Sequence, residues 1–467
     1  MVSVLCAVSI CSGADADLLM KCATLFFAFL AGWLWLPGPI VTGLSAAEEG
    51  GEWNQFRGPT GQGHAATAKI PLHWSETQNI RWRTPLPGLG YSSPVVDGNE
   101  IWLTTAFDVP SSPEEVEVRT RNNTGSEPIT VSDSATMHAL CVASDTGKLL
   151  HNIELLRVDK PQWVHVQNSY ASPTPVIEDD KLYCHFGTFG TVCLDTKTQE
   201  IVWTNRDTQV MHENGPASSP VIWGDYLIVH CDGSDQQYIV ALDKKTGEFA
   251  WKTFRTGSMH SNPQLKKAYG TPLIIKIDGR EVIVSPAANW LYGYDPHSGA
   301  EIWKVPYEVL GFSIVPRPVA DEATVYICTS YVHSELLAFR TDRAGGVPEI
   351  KWRYRKGVPQ KASPILLDGR LYFVSEGSGV LTCLDAESAE PIWRKRINGK
   401  YSASPLATTD GIFFFSEEGE TTVIAPGEEF IPLAKNKLDG QIFASPAITE
   451  DALLIRTGEA LYKIESK

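Results

Sequence analysis

A small hydroxyl residue followed by proline recurs along this chain at near-constant spacing, and that rhythm limits the fold more than any other feature. The steps are Ser93-Pro94, Ser172-Pro173, Ser219-Pro220, Thr271-Pro272, Arg317-Pro318, Ser363-Pro364, Ser404-Pro405 and Ser445-Pro446. After a first interval of 79 residues, successive prolines lie 41 to 52 residues apart. Arg317 alone breaks the Ser/Thr rule. A period in the forties built from short apolar runs predicts propeller blades.

Each unit reads as four short strands. Strand A follows the proline, as in Val95-Val96 and Ile365-Leu366-Leu367. Asp-Gly or Gly-Asp pairs then mark a hairpin turn (Asp97-Gly98, Gly224-Asp225, Asp368-Gly369), and strand B follows. Strand C runs into a polar turn, and strand D carries an indole. The clearest copy is Ala241-Leu242-Asp243-Lys244-Lys245-Thr246-Gly247-Glu248-Phe249-Ala250-Trp251. Asp243 can accept from turn amides, and Gly247 can take positive φ without a Cβ clash. Trp203, Trp303, Trp352 and Trp393 occupy the indole position in other units, and His151 replaces it in the first. Blade docking is therefore assigned to Trp82, Trp203, Asp243, Gly247, Trp251, Trp303, Trp352 and Trp393.

The ends predict how the ring closes. The last unit stops after its third strand, while Asn79-Ile80-Arg81-Trp82-Arg83-Thr84 has an indole and no unit of its own. The N-terminal segment should supply the missing strand, which leaves no unpaired edge. The expectation is an all-β, eight-bladed propeller over residues 79–467. An arm at 48–78, with Trp53-Asn54-Gln55-Phe56-Arg57-Gly58-Pro59, should pack on its outside. Residues 107–136 form an insertion between strands B and C of the first blade, read as a lid, a partner contact or a loop without order.

Charge and targeting narrow the setting. With 55 acidic against 40 basic residues and net charge -15, the chain has no basic surplus for nucleic acid. Residues 1–47 read as a signal peptide: an apolar run from Cys22 to Leu36 follows Lys21, and Ser45-Ala46-Ala47 offers a cleavage site. Met20 is the expected start of translation. The run is short for a membrane span, so the mature chain should be exported and periplasmic or envelope-associated, with no span and as a monomer. The six cysteines beyond it (Cys141, Cys184, Cys193, Cys231, Cys328, Cys383) sit in apolar strand patterns and read as buried thiols. Cys184 with Cys193 is the one pair whose position allows a disulfide to be considered.

The segments between strands D and A carry the chemistry-bearing side chains, and strands B and C add more on the same face. They place His165, Asn168, His185, His212, Asn214, Asp232, His260, Arg317, Tyr331, Lys361 and Tyr401 around one channel mouth as ligand-binding candidates. No nucleophile elbow, zinc-protease helix, phosphate loop or calcium loop is present. No residue is assigned as catalytic or as a metal ligand.

The 241–251 skeleton resembles the tryptophan-docking motif of pyrroloquinoline quinone (PQQ) β-propellers, over about 82–467. The 53–59 motif with Tyr91-Ser92-Ser93-Pro94 is similar to that of exported PQQ-like repeat proteins of planctomycete-type bacteria. The resemblance implies a fold shared with BamB-type outer-membrane assembly lipoproteins, which are not enzymes, and with quinoprotein alcohol dehydrogenases. Three functions follow as expectations: a periplasmic binding or scaffold module, a PQQ- and metal-dependent oxidoreductase, or a carbohydrate-binding propeller. The partner is then a protein, a small molecule or a glycan. The dehydrogenases hold a vicinal cysteine pair against the quinone, and this chain has no adjacent cysteines. It also lacks the lipidated cysteine of the assembly lipoproteins.

Overall fold

The computed structural model describes residues 52–466, apart from 66–67, 122, 124, 126–127, 309–310, 343–345 and 450. The targeting segment at 1–47 lies outside the described residues. Eight four-stranded antiparallel sheets follow one another around a ring, at 95–159, 176–205, 221–254, 273–306, 319–354, 365–396, 406–437 and 447–465. The last three strands are completed by Ile80–Pro85, which pairs antiparallel with Ala460–Glu465. The predicted closure is thus present in the structure. Among the described residues no helix is long and apolar enough to cross a membrane.

Sequence dictates each blade in the same way. The apolar residues of strands B and C are buried on both faces, as in Leu227 to Cys231 against Tyr238 to Leu242, so these strands read as continuous apolar runs. Strand D faces solvent on one side and alternates. A bulge recurs between strands C and D two residues before the turn Asp, for example at Ala241/Leu242 and Gly293/Tyr294. It turns the indole toward the next blade. Trp203 Nε1 donates to Lys244 O at 2.9 Å, Trp251 to Pro296 O at 3.2 Å, Trp352 to Ala386 O at 3.0 Å and Trp393 to Gly427 O at 3.1 Å. Trp82 closes the ring on Ser144 O at 2.9 Å. Gly247 and Gly299 lie beneath the indoles of the preceding blades, where an added Cβ would collide with Trp203 or Trp251. Where the first blade has His151, the second has Gln199 for the glycine, and the two side chains bond each other at 3.2 Å.

A second ring of contacts runs inside. In six of the eight blades the residue before the strand-A proline donates its N–H to the hydroxyl of the next blade: Ser93 to Thr174, Thr174 to Ser219, Ser219 to Thr271, then Arg317 to Ser363, Ser363 to Ser404 and Ser404 to Ser445, all at 2.9 to 3.0 Å. The second blade therefore opens at Thr174-Pro175, not at Ser172-Pro173. Two steps stand side by side in Ser172-Pro173-Thr174-Pro175, and only the later one matches the ladder that begins at Val176.

Two further expectations are corrected, and the reading of the cysteines as buried thiols holds. The arm does not pack outside. It enters the channel: Trp53 O, Asn54 O and Gly63 O accept from Val96, Ile177 and Ala407 N–H on innermost strands, and His64–Ala65 pairs parallel with Leu406–Thr408. The insertion is mostly regular. Strands Glu100–Pro110 and Ser132–Ala143 extend into it as one long hairpin, and the tip carries a helix, Pro113–Thr120, capped by Ser112 with Pro113 in its first turn. Cys184 lies opposite Val192 and Cys193 opposite Tyr183, so the two thiols point to opposite faces of the sheet. All six cysteines of the described chain are buried and free.

Gly247→Ala and Gly224→Ala separate the two roles of glycine. Both have positive φ, but only Gly247 meets an indole; nothing lies within 4 Å of a Cβ at Gly224. Chemical denaturation should show a loss of about 1 kcal/mol for Gly224→Ala from the left-handed backbone alone. Gly247→Ala should lose about 2 to 4 kcal/mol once the packing clash is added.

Candidate functional site

The connections from strand D to strand A crowd one face of the ring, and the predicted candidates divide there into separate groups. The first is a buried pocket between blades 2, 3 and 4. His185, His212, His230, Asp232, Ser218 and Tyr269 line a cavity of about 20 Å³, room for one water. Gly187 opens the short turn that carries Thr188, whose N–H donates to His212 Nε2 at 3.0 Å. His212 Nδ1 is enclosed and has no partner. His185 Nδ1 is 2.8 Å from Thr191 Oγ1. Burial pulls His212 down to about 3, and burial followed by the nearby His212 pulls His185 down to about 3. Both are therefore neutral imidazoles at neutral pH.

Asp232 forms the far wall. Its carboxylate receives Arg255 Nε at 3.1 Å and lies 2.6 Å from His230 Nε2. Burial disfavours its charge, but Arg255 and then His230 outweigh burial and hold Asp232 below its ordinary range. Arg255 also donates to Ser285 Oγ and Tyr294 OH, and its guanidinium lies 4.9 Å from the centre of the Tyr292 ring. His230 and Arg255 were not among the predicted residues. The available signal was His230-Cys231-Asp232, a polar pair two apart within an apolar strand, which places both on one buried face.

The second group lies across the mouth. Lys361 Nζ is 2.8 Å from Glu376 Oε1 and 3.9 Å from Glu417 Oε1, and donates to Gln167 Oε1 at 3.3 Å and Ser402 Oγ at 3.4 Å. Gln167 precedes blade 2 and Lys361 precedes blade 6, so this contact bridges opposite sides of the ring. Ser402 Oγ donates to Glu417 at 2.5 Å. Glu376 and Glu417 were also missed, although Ser375-Glu376 and Ser416-Glu417 stand at the same place in two successive units.

The remaining candidates are dispersed. His165 pairs with Ile129 of the insertion, and its Nδ1 accepts the Gln167 N–H at 3.0 Å. Asn168 Nδ2 donates to the carbonyls of Asn214 and Pro216 at 2.7 and 3.2 Å, so Asn214 contributes backbone there. His260 Nδ1 accepts from Asn262 N–H. Tyr331 pairs with Phe312 in a two-stranded ribbon. Tyr401 is buried, with its hydroxyl on Asn398 O at 2.8 Å. Arg317 is not at this mouth. It lies inside the channel, where its Nη1 donates to Phe56 O of the arm at 2.5 Å. On the opposite face the arm and blades 2 and 3 enclose a cleft of about 210 Å³, lined by Glu52, Asn54, Gln55 and Glu178 among others.

The family model described as outer membrane protein assembly factor BamB matches residues 135–376 and 349–428, more than half of the chain. The chain belongs to this family. BamB of Moraxella catarrhalis is similar in fold: 13% identity over 82% of this chain and 99% of that one, with a TM-score of 0.51. A europium-containing methanol dehydrogenase is similar too, at 11% identity over 88% and 90%, with a TM-score of 0.57. At such identities the likeness concerns fold alone. A 76-residue stretch is 40% identical to isoleucine–tRNA ligase of Streptococcus pyogenes, but this covers 16% of the chain and 8% of the ligase. That fragment carries no argument about function.

The neutral histidines make this BamB-family ring acid-sensitive. An unfolded histidine takes up its proton near 6.5, whereas folded His185 and His212 resist until about 3. Their contribution is complete above pH 6.5 and is lost as pH falls through that window. Urea unfolding between pH 7 and 4 should show stability falling by at most about 1.4 kcal/mol per pH unit for each histidine. His212→Gln should flatten the slope by one proton.

Proposed function

We propose that the protein is an exported binding and scaffold propeller of the cell envelope, without catalysis of its own. The face that carries Gln167, Lys361 and the insertion hairpin is the one offered to a partner. The observation that carries this reading is the BamB family match over 135–428. The chemistry of the face supports it. Lys361 is neutralised by Glu376 and Glu417, the histidines of the cavity are buried, and Asn168 is spent on backbone carbonyls. Side chains committed in this way stiffen a surface.

The quinone reading was weighed against the same residues, and they do not fit it. None of the six described cysteines is adjacent to another, and each is buried. Among the described residues no group of three His, Cys, Asp or Glu is placed to hold a metal ion.

A photo-reactive residue at Val166, which is exposed beside Gln167, should cross-link an envelope protein of the assembly machinery in intact cells. The same residue at Asp278, in a hairpin turn of the opposite face, should give no such adduct. Equal labelling from both sites would overturn the assignment of the face. Saturable PQQ binding with dye-linked alcohol or sugar oxidation would replace the scaffold reading by the oxidoreductase one, and selective glycan-array binding by the carbohydrate one. N-terminal sequencing of the mature protein, expected to begin near Glu48, tests export.

A further inference from the structure

Two departures from the repeat meet inside the channel. Arg57 belongs to the arm motif, and Arg317 is the one opener that is neither Ser nor Thr. Each residue is 2% exposed. Arg57 Nη2 donates to Gln62 O at 2.9 Å and to Pro364 O at 2.8 Å, while its Nε and Nη1 are enclosed without a partner. Arg317 donates through Nε to Pro272 O at 3.2 Å and through Nη1 to Phe56 O at 2.5 Å. Every acceptor is a neutral carbonyl. Among the described residues neither guanidinium makes an ion pair, in a chain whose acidic residues outnumber its basic ones by 55 to 40.

The titratable neighbours supply no counter-charge. Burial, then the Arg57 charge, lowers His64 to about 4, so its imidazole is neutral. Burial pushes the Cys328 thiol up, so it is not a thiolate. A guanidinium cannot escape by losing its proton in the ordinary way. Burial and then Arg317 pull Arg57 down to about 9, and burial pulls Arg317 down to about 9, so neither charge is favoured where it lies. Buried cations are held in proteins by an opposite charge, and enclosed donors without partners mark the place of a missing one.

We propose that Arg57 and Arg317 form an anion site at the arm-filled end of the channel, which takes one halide-sized inorganic anion and uses it to latch the arm to blades 5 and 6. The size follows from the arm itself. Its backbone at Gly61 and Gly63 lies so close to the two guanidiniums that a Cβ on Gly61 would collide with Arg317 and one on Gly63 with Arg57 Nη2 and Ile365. This crowding excludes a phosphate ester or a dicarboxylate and leaves the smallest inorganic anions as candidates. The site stands independently of the scaffold reading, since it lies at the end of the channel away from the proposed partner face.

The test uses the folded mature protein at constant ionic strength, with chloride or bromide exchanged for gluconate. Thermal unfolding should rise by several degrees in either halide and saturate with concentration. A crystal soaked in bromide should give an anomalous peak in contact with both guanidiniums. Arg317→Ser installs the residue type used by other blades and gives the Thr271 N–H a hydroxyl to reach, so it should fold and lose the halide response. Arg57→Gln should lose it as well. Identical melting in halide and gluconate, a bromide map without a peak there, or a response that survives in both variants would each overturn the site. A response to phosphate but not to halide would overturn its size. If Arg317→Ser fails to fold, the bromide map of the unaltered protein decides alone.

Discussion

Each blade closes its own ladder of main-chain hydrogen bonds, so the ring depends on what passes between blades. Two concentric relays do this. On the inside, in six of the eight blades, the N–H before the proline reaches the hydroxyl of the next blade; the proline that follows removes a donor and fixes the direction of strand A. On the outside, an indole lies on the turn of the next blade and donates to its carbonyl. A single neutral hydrogen bond is worth about 0.5 to 1.5 kcal/mol net. The relays matter through repetition and because they are coupled to burial of the indole. The arm is accepted by the free edges of innermost strands, whose N–H groups at Val96, Ile177 and Ala407 donate to its carbonyls.

The blades could be read from sequence because each is local. The hydroxyl-proline period, the Asp-Gly turns and the Asp-x-x-Thr-Gly-x-x-x-Trp skeleton all act within about forty residues, and substitutions were still readable where Gln199 and His151 stand for Gly and Trp. The second blade was misregistered by two residues because two prolines compete there. The arm could not be placed, since Arg57 meets Pro364 across 307 positions and Arg317 meets Phe56 across 261. No periodicity records a contact of that range. The order of the insertion was hidden for another reason: its strands are continuations of strands B and C with polar side chains, and polarity alone reads as loop.

The candidate site was readable only as a face. Residue type and position put histidines, Asn168, Lys361 and Tyr401 on the same side of the ring, but whether a side chain points into solvent, into a cavity or at a neighbouring carbonyl depends on loops that cross between blades. His185, His212 and Asp232 were named separately and meet in one cavity; His230, two residues from Asp232, was overlooked. Arg317 was drawn to the mouth by its charge and sits instead beneath the arm. A charged residue in a slot otherwise reserved for hydroxyls was the better clue, because such a slot faces inward whatever occupies it.

The pairing of Ile80–Pro85 with Ala460–Glu465 has a consequence in time. Ile80–Pro85 must wait for a strand some 380 positions later in the chain before it has its partner. Until then the ring has two raw edges and the arm has no complete channel to enter. A chain of this kind cannot finish folding as it emerges, and contacts of such span form slowly. Closure of the ring therefore comes late, once the whole chain is available.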